Sequence, residues 1–212
     1  MGLQVLKEDA QLVEVRHFIY PKYSAEIEAE LRSSGLSKVY SVGPVSLGKF
    51  RALGKGKTGV VVLTEELRAL KIRRTDSPKD DMNMEAFFQE RAYPASPRVY
   101  SHGRNFIEME YVEGRPLQRG EGVEVVLDLL RRAKLLDDLK IQHKEISRPW
   151  KNVLVSTRRT YVIDYDSCTF SPFPTNVSTL VSSVLGMVSE AKAYARATLS
   201  FGELMTLILR RS

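Results

Sequence analysis

The sequence predicts an α+β protein of two lobes, the first mainly antiparallel β and the second short and mainly helical. Three observations carry that expectation. Residues 48–73 break into three short apolar runs separated by turn residues, the signature of consecutive hairpins. Residues 121–139 instead set Val123, Val126, Leu127, Leu130, Ala133 and Leu136 at helical spacing. Between these regions Glu113-Gly114-Arg115-Pro116 interrupts both periods and reads as the connection. A chain of 212 residues with 43% hydrophobic content can bury about 70% of its unfolded surface, enough for one large core or two small ones.

Taken in order, Gln11 to Phe18 alternates Val13 and Val15 against Glu14 and Arg16, the period of a strand. Ser24 then offers an N-cap to a helix over Ala25 to Arg32, with Ile27 and Leu31 on one face and Gly35 as its stop. Leu36 to Val42 is extended and Gly43-Pro44 a turn. The three runs that follow, Gly48 to Leu53, Gly59 to Thr64 and Arg68 to Arg73, form an antiparallel meander. Ser77, Pro78 and Asp80 open a helix running to about Ala92, with Met84, Phe87 and Phe88 as its apolar face. Arg98 to Tyr100 and Asn105 to Tyr111 are strands around a turn at His102-Gly103. Beyond the helix at Glu121 to Leu139, Val153 to Val155 and Tyr161 to Ile163 make a hairpin around a basic turn at Thr157 to Thr160. Two helices, Asn176 to Val188 and Ala191 to Leu209, complete the chain. The expected boundaries are 1–47 for a strand-plus-helix extension packed on the first lobe, 48–112 for that lobe and 113–212 for the second.

Composition excludes several classes. The single Cys168 cannot form an internal disulfide, and His17, His102 and His143 are too scattered for a zinc cluster. A reducing, cytoplasmic setting is therefore expected. No run reaches the roughly 18 apolar residues of a membrane span, Glu8 and Asp9 stand where a secretory signal is apolar, and Gly2 lacks the context of a myristoylation site. A net charge of +6 leaves nucleotide, RNA or an acidic protein open as partners, although such an excess is more often a solvated basic surface.

Chemistry enters at Gly54-Lys55-Gly56-Lys57-Thr58-Gly59-Val60-Val61, which fits G-x-G-x-x-G-x-V. An ordinary glycine hairpin is the alternative. A phosphate-binding loop of the G-x-x-x-x-G-K-[ST] kind is excluded, because Arg51 stands where its first glycine belongs and a strand, not a helix, follows. A glycine turn between antiparallel strands can lie over phosphates because its backbone N–H groups are unshielded by Cβ atoms. Lys71 ends the third strand, either as a surface lysine or as a phosphate ligand held by Glu85 of the next helix. Met109, Glu110 and Val112 lie where an adenine would be clamped.

The ordered set of glycine loop, strand lysine, helix glutamate and hinge resembles the protein-kinase-like fold. The second half extends the resemblance. His143-Lys144-Glu145-Ile146-Ser147-Arg148-Pro149-Trp150-Lys151-Asn152 is similar to the catalytic loop H-x-D-L-x-x-x-N, and Val162-Ile163-Asp164-Tyr165-Asp166 resembles the metal-binding hydrophobic-Asp-Phe-Gly segment. Glu145 replaces the general-base Asp, Asn152 follows it seven positions on where the family pattern has five, and Asp166 replaces the glycine. The His-x-Glu-Ile-Ser-Arg-Pro variant looks like the small predicted serine/threonine kinases of archaea, relatives in shape of the Rio kinases and of the kinase in the tRNA threonylcarbamoylation complex. The resemblance spans roughly Gly48 to Ser167, and nothing beyond it matches the large substrate-binding helices of ordinary protein kinases.

That resemblance implies ATP and Mg²⁺ as cofactors and phosphoryl transfer to Ser or Thr of a protein substrate, the chain itself included. Gly54, Gly56, Gly59, Val61, Lys71, Glu85, Met109, Glu110 and Val112 would bind ATP; Asn152 and Asp164 would hold the metal, with Asp166 either beside them or else capping a helix or pairing with an Arg. Glu145 would orient or accept the nucleophile's proton, or else pair with Arg148 or Lys151. His143 and Tyr165 are expected as packing residues, and Ser167, Thr169, Ser171 and Thr175 as self-phosphorylation sites on a mobile stretch, near Arg148, Arg158 and Arg159. A nucleotide-binding pseudokinase or scaffold, and a small-molecule kinase, are the alternatives.

Overall fold

The computed structural model describes residues 10–157 and 159–211, so Gly2, Glu8, Asp9 and Arg158 lie outside the described residues. The fold is mixed α+β with antiparallel sheets, and it divides into two compact units. Of the described residues, 10–87 and 98–113 form one, and 88–97, 114–157 and 159–211 the other. The first therefore takes in the N-terminal extension, while residues 88–97 cluster with the second unit, not with the 48–112 stretch that surrounds them in sequence.

The first unit is built, in chain order, from β1 (Gln11–Glu14), a 3-10 turn (Val15–Phe18), α1 (Ala25–Ser33), β2 (Lys38–Ser41), β3 (Val45–Leu47), β4 (Phe50–Ala52), β5 (Gly54–Lys55), β6 (Gly59–Thr64), β7 (Ala69–Arg73), the start of α2 (Asn83–Ala92), β8 (Val99–His102) and β9 (Phe106–Met109). One sheet runs in the order β1-β2-β6-β7-β9-β8, with β5 also on β6; β3 and β4 form a separate hairpin. Period-two alternation sorts its faces. Val60, Val62, Leu70 and Ile72 turn to a core shared with Val39, Phe18, Ile27 and Leu31. Each such side chain, fully buried, contributes about 1.5–3 kcal/mol. Val61, Lys71 and Ile107 are register partners across β6, β7 and β9 and so lie on the opposite face, where Ile107 packs with Met82 and Ala86.

The second unit holds β10 (Arg115–Pro116), α3 (Val123–Asp138), β11 (Ile141–Gln142), a 3-10 turn (Lys144–Ser147), α4 (Pro149–Asn152), β12 (Val153–Ser156), β13 (Arg159–Val162), β14 (Thr169–Phe170), α5 (Asn176–Leu185), α6 (Val188–Ala195) and α7 (Phe201–Arg211). Val126, Leu127, Leu130, Ala133 and Leu136 of α3 are buried as their spacing predicts, and enter one core with Val153, Val162, Leu180 and Leu204. The β10-β12-β13 sheet and the β11-β14 pair are both antiparallel. Among the described residues no helix is long and apolar enough to cross a membrane.

Several boundaries differ from the sequence expectation. The first strand stops at Glu14, because Val15 and Phe18, three apart on a 3-10 turn, both reach the core. Residues 48 and 49 turn, with Gly48 at φ +62°, and β4 pairs with β3 instead of joining the meander. The helix expected from Ser77 begins at Asn83, and of its expected apolar face Phe88 is buried while Met84 and Phe87 are exposed; Glu85, Ala86, Gln89 and Ala92 complete the buried side, with Met82 buried just before it. β13 starts at Arg159, inside the stretch read as a turn. The last helix is two, α6 and α7, separated by a left-handed Ala197 at φ +57°.

Candidate active site

Lys71 sits in the middle of β7, flanked by β6 and β9, so its backbone is fixed on both sides. Its side chain is 10% exposed, and Nζ donates to Glu85 Oε1 at 2.5 Å, with Glu85 itself 6% exposed. The strand lysine and helix glutamate singled out in the sequence are thus brought together. The route is opened by Gly59: a Cβ there would stand 2.8 Å from Lys71 Cγ and 3.0 Å from the Ile72 carbonyl oxygen. Gly54 pairs opposite Val61, and the Gly56 N–H donates to the Gly59 carbonyl at 2.8 Å, closing the turn. The Arg74 guanidinium anchors this turn through the Gly56 carbonyl at 3.0 Å and forms a two-pronged pair with Asp76, which holds the Asp76 carboxyl below its usual range. Of the expected hinge, Met109 ends β9 opposite Ala69, Glu110 exchanges main-chain and side-chain bonds with Arg98, and Val112 is half-buried.

In the second unit the residues from His143 to Asn152 form two short turns of helix. His143 is fully buried, its Nε2 bonded to the Ile163 carbonyl at 3.1 Å and its ring edge-on to Tyr165 at 5.0 Å. Burial holds its pKa below the ordinary value, so it is neutral near pH 7 and serves packing and hydrogen bonding, as expected. Asn152 Nδ2 donates to the carbonyls of Glu145 at 2.9 Å and Arg148 at 3.3 Å. The amide is thereby locked with Oδ1 left as the acceptor. Glu145 is half-buried and its carboxylate meets Arg148 Nη1 at 3.4 Å, the ion pair foreseen as an alternative. Lys144, Arg148 and Lys151 are exposed around it, and Arg119 lies over Trp150 at 5.3 Å.

Asp164 follows β13 in the left-handed region, φ +68°, a conformation that costs a non-glycine residue about 1 kcal/mol or more and that clusters at functional sites. Tyr165 is core, 1% exposed, and Asp166 is half-buried. Among the described residues, the buried side-chain polar atoms without a hydrogen-bond partner are His143 Nδ1, Tyr165 Oη and Ser167 Oγ. All three belong to the His143–Asn152 and Asp164–Ser167 segments. Among the described residues no cluster of three or more His, Cys, Asp or Glu suited to a metal occurs; the candidate donors are one amide and two carboxylates.

Two positioning residues escaped the sequence reading. Asn176 Oδ1 accepts the His143 N–H at 3.0 Å, while its Nδ2 donates to Ile141 O at 2.6 Å and to Asp137 Oδ1 at 2.8 Å. Asp137 also accepts the Asn176 and Val177 N–H groups at the start of α5. This clamp ties the start of the His143–Asn152 segment to α3 and α5. The only sequence signal was an Asn at a helix start. Burial pushes the Asp137 carboxyl up to about 6 despite these donors. With a raised folded-state pKa, the proton is held more tightly in the folded chain. Asp137 therefore favours folding most below its ordinary value of 3.8, and that contribution is lost as pH rises through about 6. A ¹³C titration of its carboxyl should show a midpoint near 6; a midpoint at 4 or below would contradict the burial account.

The segment after Asp164 is less open than the sequence suggests. Thr169 lies in β14, paired with Gln142; Thr175 donates to Gln142 Oε1, and Ser167 Oγ is buried. Ser171 is half-buried, and its hydroxyl accepts the Phe173 N–H, while Phe173 is 86% exposed. A hollow of about 440 Å³ in the first unit lies at β1 and the β3–β4 hairpin and includes none of the candidate catalytic residues. No protein-family profile and no curated protein matches the chain.

Proposed function

We propose that the chain is an ATP- and Mg²⁺-dependent phosphotransferase with a two-lobe, protein-kinase-like fold, acting on Ser or Thr hydroxyls, its own included. The observation that carries this reading is the buried Lys71–Glu85 pair. Burying two charges stabilises a fold less than apolar packing of the same volume, so such a pair points to a role in orienting the ammonium. Lys71 then grips phosphate beside the glycine turn, with Gly54, Gly56 and Gly59 presenting backbone N–H groups and Val61, Met109, Glu110 and Val112 around the base.

The donors in the second unit fit magnesium: Asn152 is locked with an oxygen as its remaining acceptor, Asp164 supplies a hard carboxylate, and Asp166 is a second carboxylate two residues on. When bound, the ion neutralises charge on the transferring phosphate. Glu145 accepts the nucleophile's proton, and neutral His143 holds the loop against Ile163. A scaffold that binds nucleotide without transfer is the second reading, favoured by the Glu145–Arg148 contact.

Thermal melting tests the binding half. Mg²⁺-ATP at 100 times its Kd adds about 2.7 kcal/mol, a rise of roughly 5–10 °C for a chain of this size. Lys71→Ala and Asp164→Ala should each abolish the rise. Lys71 is buried, so its variant melts lower without nucleotide and is compared with its own apo form. A wild-type rise retained in both variants overturns the reading.

A further inference from the structure

The hollow of about 440 Å³ in the first unit is unused by the phosphotransfer reading. Its walls include Gln11 and Glu14 of the edge strand β1, Lys38 of β2, His17, and Lys49 and Phe50 of the β3–β4 hairpin. His17 is exposed and stacks on Phe50, with centroids 4.5 Å apart and planes 27° from parallel. Lys49 Nζ lies 5.1 Å from the Phe50 ring. Glu14 is the lining's carboxylate, and Arg32 engages it from outside the hollow. Lys38, opposite Glu14 in the β1–β2 register, and Lys49 are both exposed and form no ion pair among the described residues. The site therefore offers an aromatic platform and two exposed cations.

The positive charge continues past the hollow. Residues 45–57 carry Lys49, Arg51, Lys55 and Lys57 and no acidic residue. Lys55 Nζ lies 4.9 Å from the Tyr20 ring, which Arg74 approaches at 5.2 Å, and Tyr20 packs on the same core as Phe50. Aromatic faces interleaved with cations suit a ligand that repeats flat rings and phosphates. An acidic peptide would use the cations and leave the His17–Phe50 stack idle.

We propose that the first unit binds single-stranded nucleic acid, one base lying against His17 and Phe50 while the adjoining phosphates follow Lys38 and Lys49. The site is independent of phosphotransfer. Fluorescence anisotropy of the full chain with labelled 12-nucleotide RNA and DNA of mixed sequence, from 50 to 300 mM salt, is the test. Both strands should bind, with affinity falling as salt rises because phosphate contacts release counterions; the tighter of the two identifies the natural source. Phe50→Ala should weaken binding about 5- to 150-fold, the range for losing one stacked base. Because Phe50 also packs on the core, Lys38→Gln/Lys49→Gln serves as the second variant. It should keep its melting temperature and flatten the slope of log affinity against log salt by about 1.4. Phosphate transfer should be unchanged in both, so a failure here is separable from a failure of the kinase reading. Four results overturn the proposal: no binding at 50 mM salt, wild-type binding by both folded variants, displacement of the strand by millimolar ATP, or equal competition by a poly-glutamate peptide.

Discussion

Glu145→Gln is expected to lower phosphate transfer by about 10²- to 10⁴-fold while leaving Mg²⁺-ATP affinity unchanged, because it removes a proton acceptor and keeps size and hydrogen-bonding shape. The carboxylate is the group that the Glu145–Arg148 contact holds, and Arg148 is 68% exposed, so that contact is weak and, on the proposed reading, would give way to a substrate hydroxyl at small cost. Arg148→Ala should accordingly leave the rate within a few-fold of wild type. The assay is transfer from labelled ATP to the chain itself and to generic protein substrates, with phosphosites mapped by mass spectrometry. The geometry after Asp164 narrows where self-phosphorylation falls: Ser171 and Thr175 are better candidates than buried Ser167 or strand-paired Thr169. Equal rates in wild type and Glu145→Gln would move the proton-accepting role to Asp166. A wild type that binds Mg²⁺-ATP and transfers nothing would establish the scaffold reading.

Glu85→Ala should destabilise the fold by about 3 kcal/mol, or roughly 6–12 °C in melting temperature, because it withdraws the carboxylate 2.5 Å from a buried ammonium. The pair variant Lys71→Met/Glu85→Leu removes both charges and keeps side-chain volume. It should regain most of that stability and still lack the Mg²⁺-ATP-dependent rise. This contrast separates what the pair does for folding from what it does for nucleotide. A pair variant that melts as low as Glu85→Ala would assign the two residues a structural role.

The sequence made local structure legible wherever one residue decides it. Ser24 caps α1 through the Ile27 N–H at 3.4 Å, and the apolar spacing of α3 reads directly as its buried face. It misled where distant backbone overrides a local signal. Ser77-Pro78 looks like a helix start, yet the Met82 N–H is held by the Arg104 carbonyl at 2.9 Å and the Lys79 carbonyl by Arg73 at 3.2 Å, so α2 waits until Asn83. One legible signal was overlooked: Ser200 and Glu203 form a reciprocal capping box that starts α7 and ends the single long helix expected there. For the site, strand lysine and helix glutamate were found from order along the chain and do meet. Asp137 and Asn176 were not, since a clamp between residues 39 apart has no local pattern.

The division of the chain at residues 87/88, 97/98 and 113/114 means that the polypeptide passes from one unit to the other three times. No single cut therefore releases either as an intact fragment. A piece ending at Glu113 would carry Phe88, Ala92 and Ala95 without the core they belong to, an apolar patch that invites aggregation. Dissection by truncation would report on that patch. Point substitutions in the whole chain are the sound instrument for assigning its chemistry.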